Sequence, residues 1–401
     1  MTQQVQLKYV TRLAYGDSLP SDNEERRGSI KVYGSNGPYT EFSRANTQAP
    51  VIVIGRKGSY GKINWSDEPI FASDTTFFVD ASTTNHHLRW IYYLLQTLNL
   101  DVGSHEAAVP GLNRDTAYSK TVLVPPPDKQ AATVNYLDRE TTKIDTLIVE
   151  LDELLKLIAE KRQATISQAV THGINPNVKL VDSGIEWIGE IPEHWDVTAL
   201  KHVAEVRTGI AKGKRIDQNK AISVPYLRVA NVQDGYIDLS DVAEIDVLEH
   251  EINMYTLRPG DVLMNEGGDI DKLGRGAVWD GSIDPCLHQN HVFSVRCHDI
   301  EPEWLSALTG AYYAKAYFES RAKRTTNLAS ISATNLSYLP VLTPSIQEQR
   351  EIVIYINTQS AKLEELSKNI QETIEALHER RSALIAAAVT GKIRVTESPC
   401  K

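Results

Sequence analysis

Basic side chains set beside glycines give this sequence its clearest candidates for chemistry. Gly55 to Lys62 reads GRKGSYGK and offers Arg56, Lys57, Ser59, Tyr60 and Lys62, with Asn113 and Arg114 further along. A second set comprises Lys212, Lys214, Arg215, Lys272, Arg275, Arg321, Lys323 and Arg324. Glycine lets a backbone approach a phosphate closely and lysine or arginine neutralises it, so such loops suit contact with a nucleic-acid backbone. Arg228 and Asn231 add the side-chain types that pair with guanine and adenine edges.

Catalytic readings of the same residues fail on spacing. A phosphate-binding loop of the Walker type needs a glycine five residues before Gly61, where Arg56 stands, and a Ser or Thr at position 63, which is isoleucine. No lysine in the chain has Asp or Glu two residues before it, so the usual metal-dependent nuclease signature is missing. Pro125-Pro126-Pro127 lacks the Asn or Asp that an amino-methyltransferase loop would place before it, and reads as a rigid stop ahead of a helix that Asp128 caps. Cys286, His288, His291, Cys297 and His298 include metal-ligand types, but no CxxC pair occurs and CLHQNHVFSV reads as a strand pair. The expectation is a chain with no catalytic residue, no metal and no cofactor of its own.

The elements that must position these loops are set by an internal repeat. Val122 to Ile174 matches Val341 to Ile393 without a gap at an offset of 219, with Gln130 on Gln349 and Ala169-Val170-Thr171 on Ala388-Val389-Thr390. Upstream, Leu7-Lys8-x-Val10 through Gly16 matches Leu200-Lys201-x-Val203 through Gly209 at 193, so the second copy carries about 26 more residues. Within the matched segments Ile144, Leu147, Leu151, Leu154 and Ile158 step by three and four, the seam of a coiled coil. Leu363, Leu366, Ile370, Ile374, Leu377 and Leu384 make a similar seam, with Thr373 a soft spot. Each seam is incomplete alone, and its natural partner is the other, running antiparallel. One helix over 128–172 would be roughly 65 Å long, a spacer more than a domain.

The order of parts follows. Residues 1–127 form a globular unit, 128–172 a spacer helix, 173–199 a linker or strap, 200–344 a second globular unit, 345–393 a second spacer helix, and 394–401 a tail. The fold class is mixed α/β, two globular units separated by a long antiparallel two-helix coiled coil with a pseudo-two-fold repeat. Val51–Ile54 and Thr76–Val79 read as buried strands. His87 to Leu100 and Glu303 to Phe318 read as short helices. Three cysteines in 401 residues provide no disulfide framework, no apolar run is long enough to cross a bilayer, and the expected compartment is the cytoplasm. A net charge of −10 argues against a free-standing nonspecific nucleic-acid binder, though residues 1–127 are neutral, with 12 basic and 12 acidic side chains.

The strap Gly184-Ile185-Glu186-Trp187-Ile188-Gly189-Glu190-Ile191-Pro192-Glu193-His194-Trp195 carries a family resemblance. The helix starts Pro125…Gln130 and Pro344…Gln347-Glu348-Gln349-Arg350 share it, as do the exits Ala169 to Gly173 and Ala388 to Ile393. Over nearly its whole length the chain resembles the DNA-specificity subunit of a Type I restriction–modification enzyme. The resemblance implies two target-recognition domains, each reading one half of a split, asymmetric site in double-stranded DNA. It further implies that the helices dock two methyltransferase subunits, which carry the restriction–translocation subunits, and that methyl donor, ATP and Mg²⁺ belong to those partners. The first copy departs from the pattern, since no Trp-containing strap precedes Leu7. The alternative reading is a coiled-coil adaptor that binds only protein.

Overall fold

The computed structural model describes residues 2–20, 28–102, 111–213, 220–268, 273–274, 276–324, 329–393 and 395. The chain divides into two compact units, Met1–Asp152 with Gln371–Lys401, and Glu153–Ile370.

In the first unit the strands are β1 (Gln3–Gln6), β2 (Ala14–Tyr15), β3 (Ile30–Gly34), β4 (Gly37–Phe42), β5 (Val51–Gly55), β6 (Ile63–Ser66), β7 (Phe71–Ala72), β8 (Thr76–Val79) and β9 (Thr121–Val124). They form sheets of order β2-β8-β5-β6 and β4-β3-β7, and a separate β1-β9 pair. Helices α1 (Leu88–Gln96) and α2 (Arg114–Ser119) lead to the long α3 (Pro127–His172). β5 is apolar at every position and buried at every position, as a central strand covered on both faces must be. The core joins Ile52, Ile54, Phe77 and Val79 of this sheet to Trp90, Leu94 and Leu95 of α1 and to Val134 and Leu137 of α3.

The second unit repeats this plan with additions. Its strands are β10 (Leu180–Asp182), β11 (Glu190–Pro192), β12 (Asp196–Ala199), β13 (Ala204–Thr208), β14 (Ile222–Leu227), β15 (Ala243–Val247), β16 (Val262–Asn265), β17 (Gly267–Gly268), β18 (Gly276–Val278), β19 (Leu287–His288), β20 (Val292–Cys297), β21 (Lys323–Arg324), β22 (Ala329–Ser330) and β23 (Pro340–Thr343). Sheets of order β13-β20-β16-β18 and β15-β14-β19 and the pair β12-β23 reproduce the three sheets of the first unit. Helices α4 (Glu249–Tyr255), α5 (Pro302–Thr309), α6 (Tyr312–Arg321) and α7 (Ala333–Ser337) precede the second long helix, α8 (Ile346–Val389). The segment Glu303 to Phe318 is therefore two helices, because α5 stops at Gly310, the poorest helix former after proline.

Residues shared by the two copies make the same bonds. A Cβ at Gly16 would fall on the carbonyl oxygen of Ser73, and one at Gly209 on that of His288, so both strand junctions exclude any side chain. Gln130 is buried at the start of α3, where its Nε2 donates to the Pro125 carbonyl (2.9 Å) and its Oε1 accepts from the His87 N–H (3.1 Å). Gln349 is buried in the same way at the start of α8, donating to the Pro344 carbonyl (2.9 Å) and accepting from the Glu301 N–H (2.9 Å). Each glutamine thus ties a long helix to the N-terminus of a short helix earlier in its unit, α1 or α5.

In the first unit β1 pairs antiparallel with β9 in the place that β12–β23 holds in the second. The strap folds as the β10–β11 hairpin, and Ile188, Ile191 and Trp195 enter the second unit's core. Trp187 stays 40% exposed and stacks on Tyr317 at 5.5 Å.

Antiparallel packing of the long helices is visible inside each unit. In the first, Val134 and Leu137 share a core with Ile385, Ala388 and Val389, while Asp145 accepts from Arg381 at 2.7 and 3.2 Å. In the second, Ile166, Ala169 and Val170 share a core with Ile352, Val353 and Ile356. The buried face of α3 runs Thr141, Ile144, Ile148, Leu151, Leu155, Ile158, where Ile148 is 9% exposed against 41% for Leu147 and 39% for Leu154. On α8 it runs Leu363, Ser367, Ile370, Ile374, Leu377, Arg381, Leu384, with Leu366 44% exposed. This register differs from the expected one at Leu147, Leu154 and Leu366. Tyr93 fixes the rotation of α3, its hydroxyl lying 2.5 Å from Asp138 Oδ1 and 3.2 Å from Thr141 Oγ1, and continuing the face from Thr141 buries Ile148.

Candidate nucleic-acid interface

Strand ends and short helices of the first unit gather most of its candidate residues. Gly55 ends β5, and a Cβ there would strike the Ser59 carbonyl, so the loop to Lys62 folds tightly back on the strand. Arg56 leaves this corner with its N–H on the Thr75 carbonyl (2.8 Å) and its own carbonyl accepting from the Leu112 N–H (2.8 Å). Lys57 forms an isolated antiparallel bridge with Gly111, which brings the start of α2 alongside the loop. Asn113 caps α2, its Oδ1 accepting from the Asp115 N–H (2.8 Å), and Arg114 follows as the first helical residue.

Two of these cations share one aromatic ring. The Arg56 guanidinium lies 5.1 Å from the centre of the Tyr15 ring, and that of Arg114 lies 4.9 Å from it. Tyr15 itself is 46% exposed and packs on Phe77 (4.9 Å), its opposite number on β8. Lys62 Nζ donates to the carbonyl and side chain of Asn36 at 3.0 and 2.8 Å. Among the described residues none of Arg56, Lys57, Lys62 and Arg114 has a carboxylate partner, so the patch carries uncompensated positive charge. Tyr60 is half-buried against the core and positions the loop; Ser59 is exposed. Sequence reasoning missed Tyr15; its one signal was an aromatic residue immediately before the repeated Gly16, where the second copy has Thr208.

The second unit's set is less completely placed. Lys214, Arg215, Lys272 and Arg275 lie outside the described residues. Lys212 is exposed in a turn, and Lys323 and Arg324 are exposed on β21, which pairs with β22 and through it with the Gly267–Gly268 strand. Arg321 ends α6 with its guanidinium 5.9 Å from the Tyr317 ring centre. Arg228 and Asn231, the suggested base readers, are used internally. Asn231 is buried with its Nδ2 on the Asp238 and Asp241 carbonyls (2.8 and 2.9 Å), and Arg228 pairs with Asp241 at 2.8 Å.

The Cys and His set of this unit is spread along β19, β20 and their turns. Cys286 lies in an apolar cluster, where burial pushes its thiol up to about 12. His288 is buried with its Nδ1 2.7 Å from the Val292 carbonyl, His291 pairs with Glu266 at 2.8 Å, and His298 with Asp299 at 2.9 Å. Among the described residues no three His, Cys, Asp or Glu side chains are grouped to hold a metal ion. Asp261, which is 1% exposed at its side chain, takes two hydrogen bonds of 2.7 Å from the half-buried Arg296, a pair that fastens β20 to the start of β16. No helix among the described residues is long and apolar enough to cross a membrane.

Comparison with known proteins bears on this arrangement. Residues 192–376 match the family model described as the Type I restriction modification DNA specificity domain. The chain is 30% identical over 207 residues to a putative type I restriction enzyme MjaX specificity subunit of Methanocaldococcus jannaschii, a match covering 51% of this chain and 47% of that protein. It therefore spans about half the length of that relative. It is 20% identical over 363 residues to the EcoBI specificity subunit of Escherichia coli, covering 85% of this chain and 73% of the relative. A solved chain from work on complex assembly and conformational transition of the type I R-M system superposes with a TM-score of 0.64 at 15% identity, over 98% of both chains, and shares the fold.

Proposed function

We propose that this chain, whose residues 192–376 match the Type I restriction modification DNA specificity domain, is the subunit that reads DNA sequence for a Type I restriction–modification complex, each globular unit reading one half of a split site. One observation carries this reading most directly. The two units reproduce the same three sheets and the same glutamine ties, yet present unlike residues at their loops. A shared frame with different surfaces suits two readers of different sequences, and so an asymmetric bipartite site. Phosphate contacts would come from Arg56, Lys57, Lys62 and Arg114 in the first unit, and from Lys212, Arg321, Lys323 and Arg324 in the second, with Lys214, Arg215, Lys272 and Arg275 completing the set. A coiled-coil adaptor without DNA specificity is not favoured, because the matched domain is a DNA specificity domain.

The long helices, with the strap, are the proposed docking surface for two methyltransferase subunits, through which the restriction–translocation subunits attach. Leu147 and Leu366 occupy equivalent positions in the repeat and are both exposed, as a surface offered twice to identical partners should be. In this reading the chain performs no catalysis, and methyl donor, ATP and Mg²⁺ are bound by the partners, in the cytoplasm. The test is to map methylated adenines genome-wide in cells carrying the complex. A split motif with unlike halves is the expected result; a continuous or palindromic motif would overturn the two-reader assignment.

A further inference from the structure

We infer that Tyr15, Arg56 and Arg114 form a clamp for a DNA phosphate that, among the described residues, is found in the first unit and not the second, with Tyr15 as the positioning residue; this rests on the DNA-reading function proposed above. Two guanidiniums held beside one ring repel each other, and no carboxylate among the described residues offsets them. The ring face attracts both cations and keeps them together on an exposed surface. What the cluster lacks is an anion. Arg114 Nε is buried and has no hydrogen-bond acceptor, although a guanidinium N–H seldom stays unpaired away from water. Nε itself is shut off from solvent, so a phosphodiester oxygen would meet the outer N–H groups of the guanidinium, which have no acceptor among the described residues either, and supply the missing charge; arginine's planar fork suits that geometry.

Each clamp residue has a structural equivalent in the second unit, and none is retained there. Tyr15 lies opposite Phe77 as Thr208 lies opposite Phe293. Arg56 takes the Thr75 carbonyl and accepts from Leu112, while Glu266 takes the His291 carbonyl and accepts from Ile331. Arg114 follows the cap Asn113 as Ala333 follows the cap Ser332. Where the first unit has a ring and two cations, the second has a hydroxyl, a carboxylate paired with His291, and a methyl group. The two units therefore grip DNA differently at the same place in the frame.

The test uses the full chain assembled with its methyltransferase subunits and a duplex carrying the mapped site, with affinity measured across salt concentration. Arg56→Gln with Arg114→Gln should flatten the slope of log affinity against log salt by about 0.9, the value for one lost phosphate. Tyr15→Ala should weaken binding roughly tenfold through disordering of the two arginines, with a shallower slope, while Tyr15→Phe should restore both. Should Tyr15→Ala unfold the first unit, the double glutamine variant decides, since it leaves the ring and strand pairing intact. A wild-type complex that binds specifically, with the double variant unchanged in affinity and slope, would overturn the clamp alone. A wild-type complex that binds no duplex would overturn the DNA-reading function and the clamp with it.

Discussion

His288 is a buried residue of β19, and its burial pushes its pKa down to about 4 from an ordinary 6.5. In the folded chain the imidazole stays neutral between those values, while the unfolded chain takes up a proton. Stability contributed by the neutral ring is thus complete above pH 6.5 and is lost as pH falls towards 4, by roughly 3 kcal/mol at most. Urea denaturation at pH 7 and pH 5 should show this loss, and His288→Asn, which keeps an N–H for the Val292 carbonyl, should remove most of the pH dependence. The two buried glutamines act at the same scale without titrating. Gln130→Ala or Gln349→Ala orphans the His87 or Glu301 N–H and should cost about 1–3 kcal/mol, measured by denaturant unfolding.

At the scale of elements, the register of the helix seam separates two kinds of leucine and isoleucine. Ile144 and Ile148 are buried on α3, whereas Leu147 faces solvent between them. Ile148→Ala should therefore lose about 2–4 kcal/mol by removing packed methylenes, and Leu147→Ala should stay within about 0.5 kcal/mol. Equal losses at the two positions would refute the register. Residues 129–152 and 371–388 fold against the same globular body, so both helix ends belong to the first unit's core and not to a free rod.

At the scale of the whole chain, the exposed leucines test the proposed docking surface. Leu147→Glu and Leu366→Glu should leave the isolated chain folded, and each should remove one methyltransferase subunit from the assembled complex, read as mass by light scattering. Retention of both subunits by the double variant would move docking off this face. The chain's net charge of −10 is no obstacle to DNA binding in the proposed assembly, because the positive charge is local to the loops.

The internal repeat and the long helices were legible in the sequence, which also marked Gln130 with Gln349 and Gly16 with Gly209 as positions shared by the two copies. Each is a local or periodic requirement, so the residue type itself reports it: only glycine fits against the Ser73 and His288 carbonyls, and only an apolar seam sustains a paired helix. The seam's register was not legible, because Leu147 and Ile148, like Leu154 and Leu155, satisfy the same three-and-four spacing. That choice fell to Tyr93, a contact from another helix that no periodicity encodes. The Tyr15, Arg56 and Arg114 cluster was decided in the same way. Its members come from three separate segments, and the pairing of β2 with β8, together with the bond from Leu112 to Arg56, is what brings them to one ring.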